Sequence, residues 1–173
     1  MMQIKLTKKQ ITYCYDLAKQ RHDAKHISFR NRDQIMPEHK QGEFETNFKV
    51  DKQYMPHFLG VVGELVWSLY SGDKVDENIY SVRDGGEDFD GIEIRTLTYS
   101  GEGEPELKVK VSEYETRKPP KLYVLMHFDI NSRVASILGK ITRESFEQQK
   151  IKKKYGRYLP LNYIVPLSKM EKL

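Results

Sequence analysis

Residues 85–96 read GGEDFDGIEIRT. Phe89, Ile92 and Ile94 fit a strand alternation, with Asp90-Gly91 able to turn the chain before it. A period of two sends Ile92 and Ile94 to one face and Glu93 and Arg95 to the other. At this point two explanations stand. Either this is a half-exposed edge strand with a solvated ion pair, or its charged face meets something other than water.

The 173 residues suit a single domain with a sizeable core. Residues 1–50 read as an N-terminal helix followed by an irregular arm. Lys and Arg exceed Asp and Glu by four, with a pI near 9.0, a mild basicity that permits a nucleic-acid partner without requiring one. The one cysteine, Cys14, excludes an internal disulfide and a cysteine-rich zinc site. It falls on an apolar helical stripe, as a packed thiol does. No apolar run has the length of a membrane span, and the start MMQIKLTKKQ carries no signal-peptide pattern. A soluble, cytoplasmic protein is expected.

Thr7 and Gln10 have capping-box spacing, and Ile11, Cys14, Tyr15 and Ala18 follow at one-face helical intervals. RHDAKHISFRNR (21–32) clusters Arg21, Arg30 and Arg32 with Lys25, His22 and His26 but shows no clean period, so 21–50 is read as an arm or a solvated connector. His22 and His26 are i, i+4 without an acidic third ligand and are expected at the surface. A core helix is expected over 55–70, with Pro56 in its first turn and Gly72 at its stop. It is apolar almost all round except for Glu64, a carboxylate that is costly to bury unless a cation meets it. Strands are expected at 78–82, from 88, and at 106–111, 122–128 and 134–141. The nearly continuous apolar run LYVLMHF at 122–128 is that of a strand buried on both faces. Thr142 can cap a short helix. A basic stretch from Lys150 to Tyr158 and a last strand, NYIVPL, close the chain. The fold class is α/β, a mixed central sheet with helices packed on it.

Glu64, Asp88 and Glu93 call for a joint account. Asp88 and Glu93 would meet across the Asp90-Gly91 turn, where two carboxylates repel unless a cation lies between them. Hard oxygen ligands of this kind suit Mg²⁺ or Mn²⁺, which can bind a scissile phosphate and activate the attacking water.

This ordered set resembles the PD-(D/E)XK nuclease superfamily, in which a helix bearing Glu precedes a bent hairpin carrying Asp, then Asp or Glu, one residue, and Lys. HFLGVVGELVW (57–67) is similar to the Gly-x-x-Gly-Glu helix of small phage- and prokaryote-borne members. GGEDFDGIEIRT is similar to their glycine-rich hairpin, and LYVLMHFD with VASILGKITRESF to their central strand, hairpin and exit helix. The likeness covers about residues 50–147. It implies a restriction-endonuclease-like mixed β-sheet flanked by α-helices. It also implies metal ligation by Asp88, Glu93 and the Ile94 carbonyl, with Glu64 direct or through water. The chemistry implied is Mg²⁺- or Mn²⁺-dependent hydrolysis of DNA phosphodiesters, in a prokaryotic cell or virus-infected host, with a homodimer where both strands are cut. Arg95 stands where the family has Lys. Its pKa above about 12 bars it from acting as a base, though it can stabilise phosphate charge.

No nucleophile elbow, phosphate loop or dinucleotide fingerprint competes. Lys152, Lys153, Lys154 and Arg157, interleaved with Tyr155 and Tyr158, are expected with Arg21, Arg30 and Arg32 to hold the DNA backbone. The alternatives are an inactive nucleic-acid-binding or assembly protein that keeps the fold, and a structural protein of a phage or mobile element.

Overall fold

A computed structural model describes residues 2–29, 50–79, 88–98, 101 and 103–173. Arg30 and Arg32 lie outside them. The fold is mixed α/β, but its strands form two sheets where one central sheet was expected.

The first sheet has the order β1-β5-β4-β2. It is built from β1 (Met2–Lys5), β2 (Ile92–Leu97), β4 (Leu122–Asp129) and β5 (Val134–Thr142). β4 lies in its interior, antiparallel to β5 and parallel to β2. The second sheet, β3-β7-β6, joins β3 (Glu106–Lys110), β7 (Leu161–Pro166) and β6 (Ile151–Lys154), all antiparallel. Four helices complete the described chain: α1 (Lys8–Phe29), α2 (Met55–Ser71), α3 (Val111–Thr116) and α4 (Arg143–Gln149).

β4 explains the layering. Val124, Met126 and Phe128 enter a core with α1 and α2, built on Cys14, Phe58, Val61 and Val62. Tyr123 and Leu125 enter a second core with Leu107 and Val109 of β3, Phe146 of α4 and Val165 of β7. The near-continuous apolar run is therefore that of a strand covered on both faces. Helices cover one side of the first sheet, and the second sheet with α4 covers the other.

Local signals act where expected. The Thr7 hydroxyl accepts the Gln10 amide while Gln10 Oε1 accepts the Thr7 amide, a closed capping box. Gly72 stops α2 with φ +84°, its amide donating to the Ser68 carbonyl. Thr142 Oγ1 accepts the Ser145 amide at the start of α4. Cys14 is fully buried, and burial pushes its thiol up to about 12.

Several expectations fail. The first helix runs on to Phe29, so Arg21 stands on a helix and not in an irregular arm. His22 is buried, its ring edge-on to Tyr54 at 5.0 Å and to His57 at 5.4 Å, not part of a surface pair. Residues 78–79 carry no strand, and 80–82 lie outside the described chain. The expected strand at 106–111 ends at Lys110, and α3 starts at Val111. The basic run contains an edge strand, β6, whose four residues are all exposed.

Candidate functional site

Among the described residues β2 is an edge strand, with β4 on one side and no other described strand of the sheet on the other. Phe89 and Ile92 pair as an antiparallel bridge across Asp90 and Gly91, where Gly91 takes φ +72°. This small hairpin folds Asp88 back along the open edge. Asp88 Oδ2 accepts the Ile94 amide at 2.6 Å, and the Asp88 amide donates to the Ile92 carbonyl at 3.1 Å. Within a parallel pair, the amide and carbonyl of one residue face the same side. Ile94 thus turns its carbonyl to the open edge beside Asp88.

The two faces of β2 carry the other groups. On the helix side, α2 comes very close: a Cβ on Gly63 would lie 2.2 Å from Thr96 Oγ1 and 2.8 Å from Ile94 Cγ2. The next residue, Glu64, is 5% exposed and is gripped by Arg21 of α1. Arg21 Nη1 and Nη2 meet its two oxygens at 2.6 and 2.9 Å, and Nη2 also donates to the Asp76 carbonyl at 2.5 Å. On the opposite face, Glu93 is 8% exposed and lies 2.5 Å from Arg95 Nη2, which also reaches Glu113 of α3 at 3.2 Å. Glu113 in turn accepts from Lys110 at 3.1 Å. Burial works against Glu113's charge, yet Arg95 and Lys110 hold its carboxyl below the ordinary range.

Asp88 therefore sits at the edge between two acidic flanks. Burial, then the negative fields of Glu64 and Glu93, push its carboxyl up to about 7 against the opposing pull of the Ile94 amide and Arg95. The five central residues expected from the sequence are thus placed around one strand edge. They do not form a ready-made cage. Among the described residues no three of His, Cys, Asp and Glu stand close enough to hold one metal ion. The donor chemistry fits a hard divalent cation: an edge carbonyl and a carboxyl destabilised by surplus negative charge. Seating one requires Glu93 to exchange Arg95 for the ion.

The expected nucleic-acid contacts divide. Arg21, expected to hold the DNA backbone, is an internal partner of Glu64 with its side chain 18% exposed. Lys152, Lys153 and Lys154 lie on β6 of the other sheet, and Lys153 donates to Glu106 at 2.8 Å. Lys150 pairs with Glu147, and Arg157 stands over the Tyr158 ring, which is 80% exposed. Lys108 and Lys110 of β3 have side chains 48% and 52% exposed.

Sequence reading missed the Arg21 partnership and the whole contribution of α3. Arg21 was findable, because it continues the Ile11, Cys14, Ala18 spacing on the buried stripe of α1. Glu113 was not, since its meeting with Arg95 depends on β3 joining the second sheet.

No protein-family model, curated protein or solved structure matches the chain.

Proposed function

We propose that the protein is a metal-dependent endonuclease acting on DNA phosphodiesters, with a PD-(D/E)XK-type centre on a restriction-endonuclease-like sheet. The observation that carries this reading is the half-buried Asp88 carboxyl on the edge of β2, beside the Ile94 carbonyl and between the charges of Glu64 and Glu93. Mg²⁺ or Mn²⁺ would be held by Asp88, Glu93 and the Ile94 carbonyl. Glu64, fixed by Arg21, contributes through water or by its field. When bound, such an ion polarises the phosphate and lowers the pKa of an attacking water. Arg95, released from Glu93, stabilises negative charge growing on the phosphate oxygens and takes no proton. The DNA, double-stranded or branched, would lie along the exposed cations of β6 and its turn.

A second reading, a DNA-binding protein without cleavage, is favoured by one feature. Glu64 and Glu93 are each already neutralised by an arginine.

Incubating the protein with plasmid, linear and branched DNA in Mg²⁺ or Mn²⁺ separates the two. The nuclease reading expects cleavage that is abolished by Asp88→Ala. Calorimetry should show weaker Mn²⁺ binding for Asp88→Asn and Glu93→Gln, and near-parental binding for Arg95→Ala. Binding without cutting, with equal Mn²⁺ affinity throughout, would leave the second reading.

A further inference from the structure

The charged face of β2 opens on a small, half-open cleft walled by Glu93, Arg95, Glu113, Tyr114, Tyr123 and Pro120 among others. Two buried donors in this wall have no hydrogen-bond partner among the described residues: Arg95 Nε and the Tyr114 hydroxyl. Buried donors in folded proteins are nearly always satisfied, so each such exception asks for an acceptor. A third orphan, Thr96 Oγ1, has a different explanation, because it lies in the tight seat of Gly63. Arg95 and Tyr114, by contrast, both line the cleft. Tyr114 is held as a rigid ring between Phe146 and Tyr163, at centroid distances of 5.6 and 5.2 Å.

The missing acceptor has a recognisable chemistry. Arg95 already binds one carboxylate across the cleft, that of Glu113, which Lys110 also holds. A carboxylate and a phosphodiester each present two oxygens sharing one negative charge. The phosphodiester is larger and brings acceptors on more sides, as a guanidinium and a nearby hydroxyl require. The aromatic and proline walls suit the apolar face of a sugar.

We propose that this cleft is a phosphate subsite in which Arg95 Nε and the Tyr114 hydroxyl donate to the non-bridging oxygens of a nucleic-acid phosphodiester, and that Glu113 is the internal anion it displaces. The nucleic-acid identity of the ligand rests on the proposed function, whereas the subsite itself rests on the orphaned donors. In the free protein Arg95 Nη2 is shared between Glu93 at 2.5 Å and Glu113 at 3.2 Å, and Glu113 is the more weakly held of the two. An arriving phosphate replaces that carboxylate, satisfies both donors and leaves Glu113 to Lys110.

The test is made in EDTA, so that metal binding and cleavage do not enter. The dinucleoside monophosphate TpT and inorganic phosphate are titrated while the Arg95 Nε–H resonance is followed by NMR. TpT should shift that resonance saturably and bind more tightly than inorganic phosphate. Tyr114→Phe should weaken TpT binding about tenfold, the loss of one hydrogen bond to a charged group. Its thermal midpoint should hold or rise, because only an unpaired buried hydroxyl is removed. Glu113→Gln should strengthen TpT binding by removing the competing charge. An immobile Arg95 resonance, parental TpT affinity in Tyr114→Phe, or weaker binding in Glu113→Gln would overturn the subsite. Inorganic phosphate binding as tightly as TpT would overturn its phosphodiester assignment. A protein that binds TpT in this way yet never cuts DNA would lose only the nuclease reading.

Discussion

Two arginine–carboxylate pairs flank β2, one on each face, and they differ in how completely they are satisfied. Arg21 and Glu64 meet through two parallel hydrogen bonds, and the Asp76 carbonyl takes a third. Arg95 meets Glu93 and Glu113 through a single nitrogen, and its Nε has no acceptor among the described residues. The first pair is closed off by its own neighbours. The second shares its bonds unevenly and retains a donor for another anion. A saturated buried pair holds a carboxylate in position, whereas an unsaturated one at a cleft can change partners. The same division runs through the basic strand β6, where Lys153 is bound to Glu106 while Lys152 and Lys154 have no acidic partner among the described residues.

The largest expected effect comes from breaking the closed pair. Arg21→Ala removes the two-bond partner of buried Glu64, and should cost about 3 kcal/mol in chemical denaturation. Replacing both partners by apolar residues, Arg21→Met with Glu64→Leu, should recover most of that loss. Arg95→Ala takes the arginine from buried Glu93 as well as from Glu113, and should cost less, about 2 kcal/mol, because the Arg95 side chain is 30% exposed against 18% for Arg21. Equal losses for the two arginines would erase the distinction.

A smaller effect follows from pH. The folded pKa of Asp88, about 7, stands above its ordinary value of 3.8. Folding therefore favours the protonated form. That contribution is complete below the ordinary value and is lost as pH rises through about 7. The unfolding free energy of the metal-free protein, read by urea titration, should fall between about pH 5 and about pH 8 by an amount on the order of 2 kcal/mol. Asp88→Asn should flatten this slope, and Mn²⁺ should offset it in the parent. A slope unchanged in the Asn variant would assign the titration elsewhere.

The smallest effect sharpens the comparison on β6. Replacing Lys152, Lys153 and Lys154 together by Gln should weaken DNA binding to all sequences alike. Each phosphate contact contributes a slope of about −0.9 in log affinity against log salt. With Lys153 engaged by Glu106, the slope should change by about two contacts' worth. Lys153→Gln alone should leave it nearly flat. Parental affinity and slope in the triple variant would make β6 a solvated surface.

What could be read from the sequence was whatever side-chain period or capping chemistry encodes locally. α2, β4, β5, the hairpin at Asp90-Gly91 and the caps at Thr7 and Thr142 belong to that class. The edge strands β1 and β6 were missed because backbone pairing with β5 and β7 defines them, and IKKK has no buried face to alternate. The division into two sheets escaped because ELKVK alternates equally well against either partner. At the site, the acids were legible as oddities. Their neutralisation by Arg21 and Arg95 was not, because the Arg21 contact spans 43 residues and the Arg95 conformation depends on α3.

The contact of Gly63 with Thr96 gives α2 an allowed alphabet and a fixed azimuth. Successive residues of a helix are about 100° apart, so an inserted residue just before Gly63 would bring a different side chain over Thr96. That residue would carry a Cβ into a space with no room for one. The helix could then dock only by lifting off the strand or turning, and either motion takes Glu64 away from the sheet edge. A single residue without a side chain thus acts as the molecule's alignment mark, and errors in it would appear as lost geometry at Glu64 before lost helix.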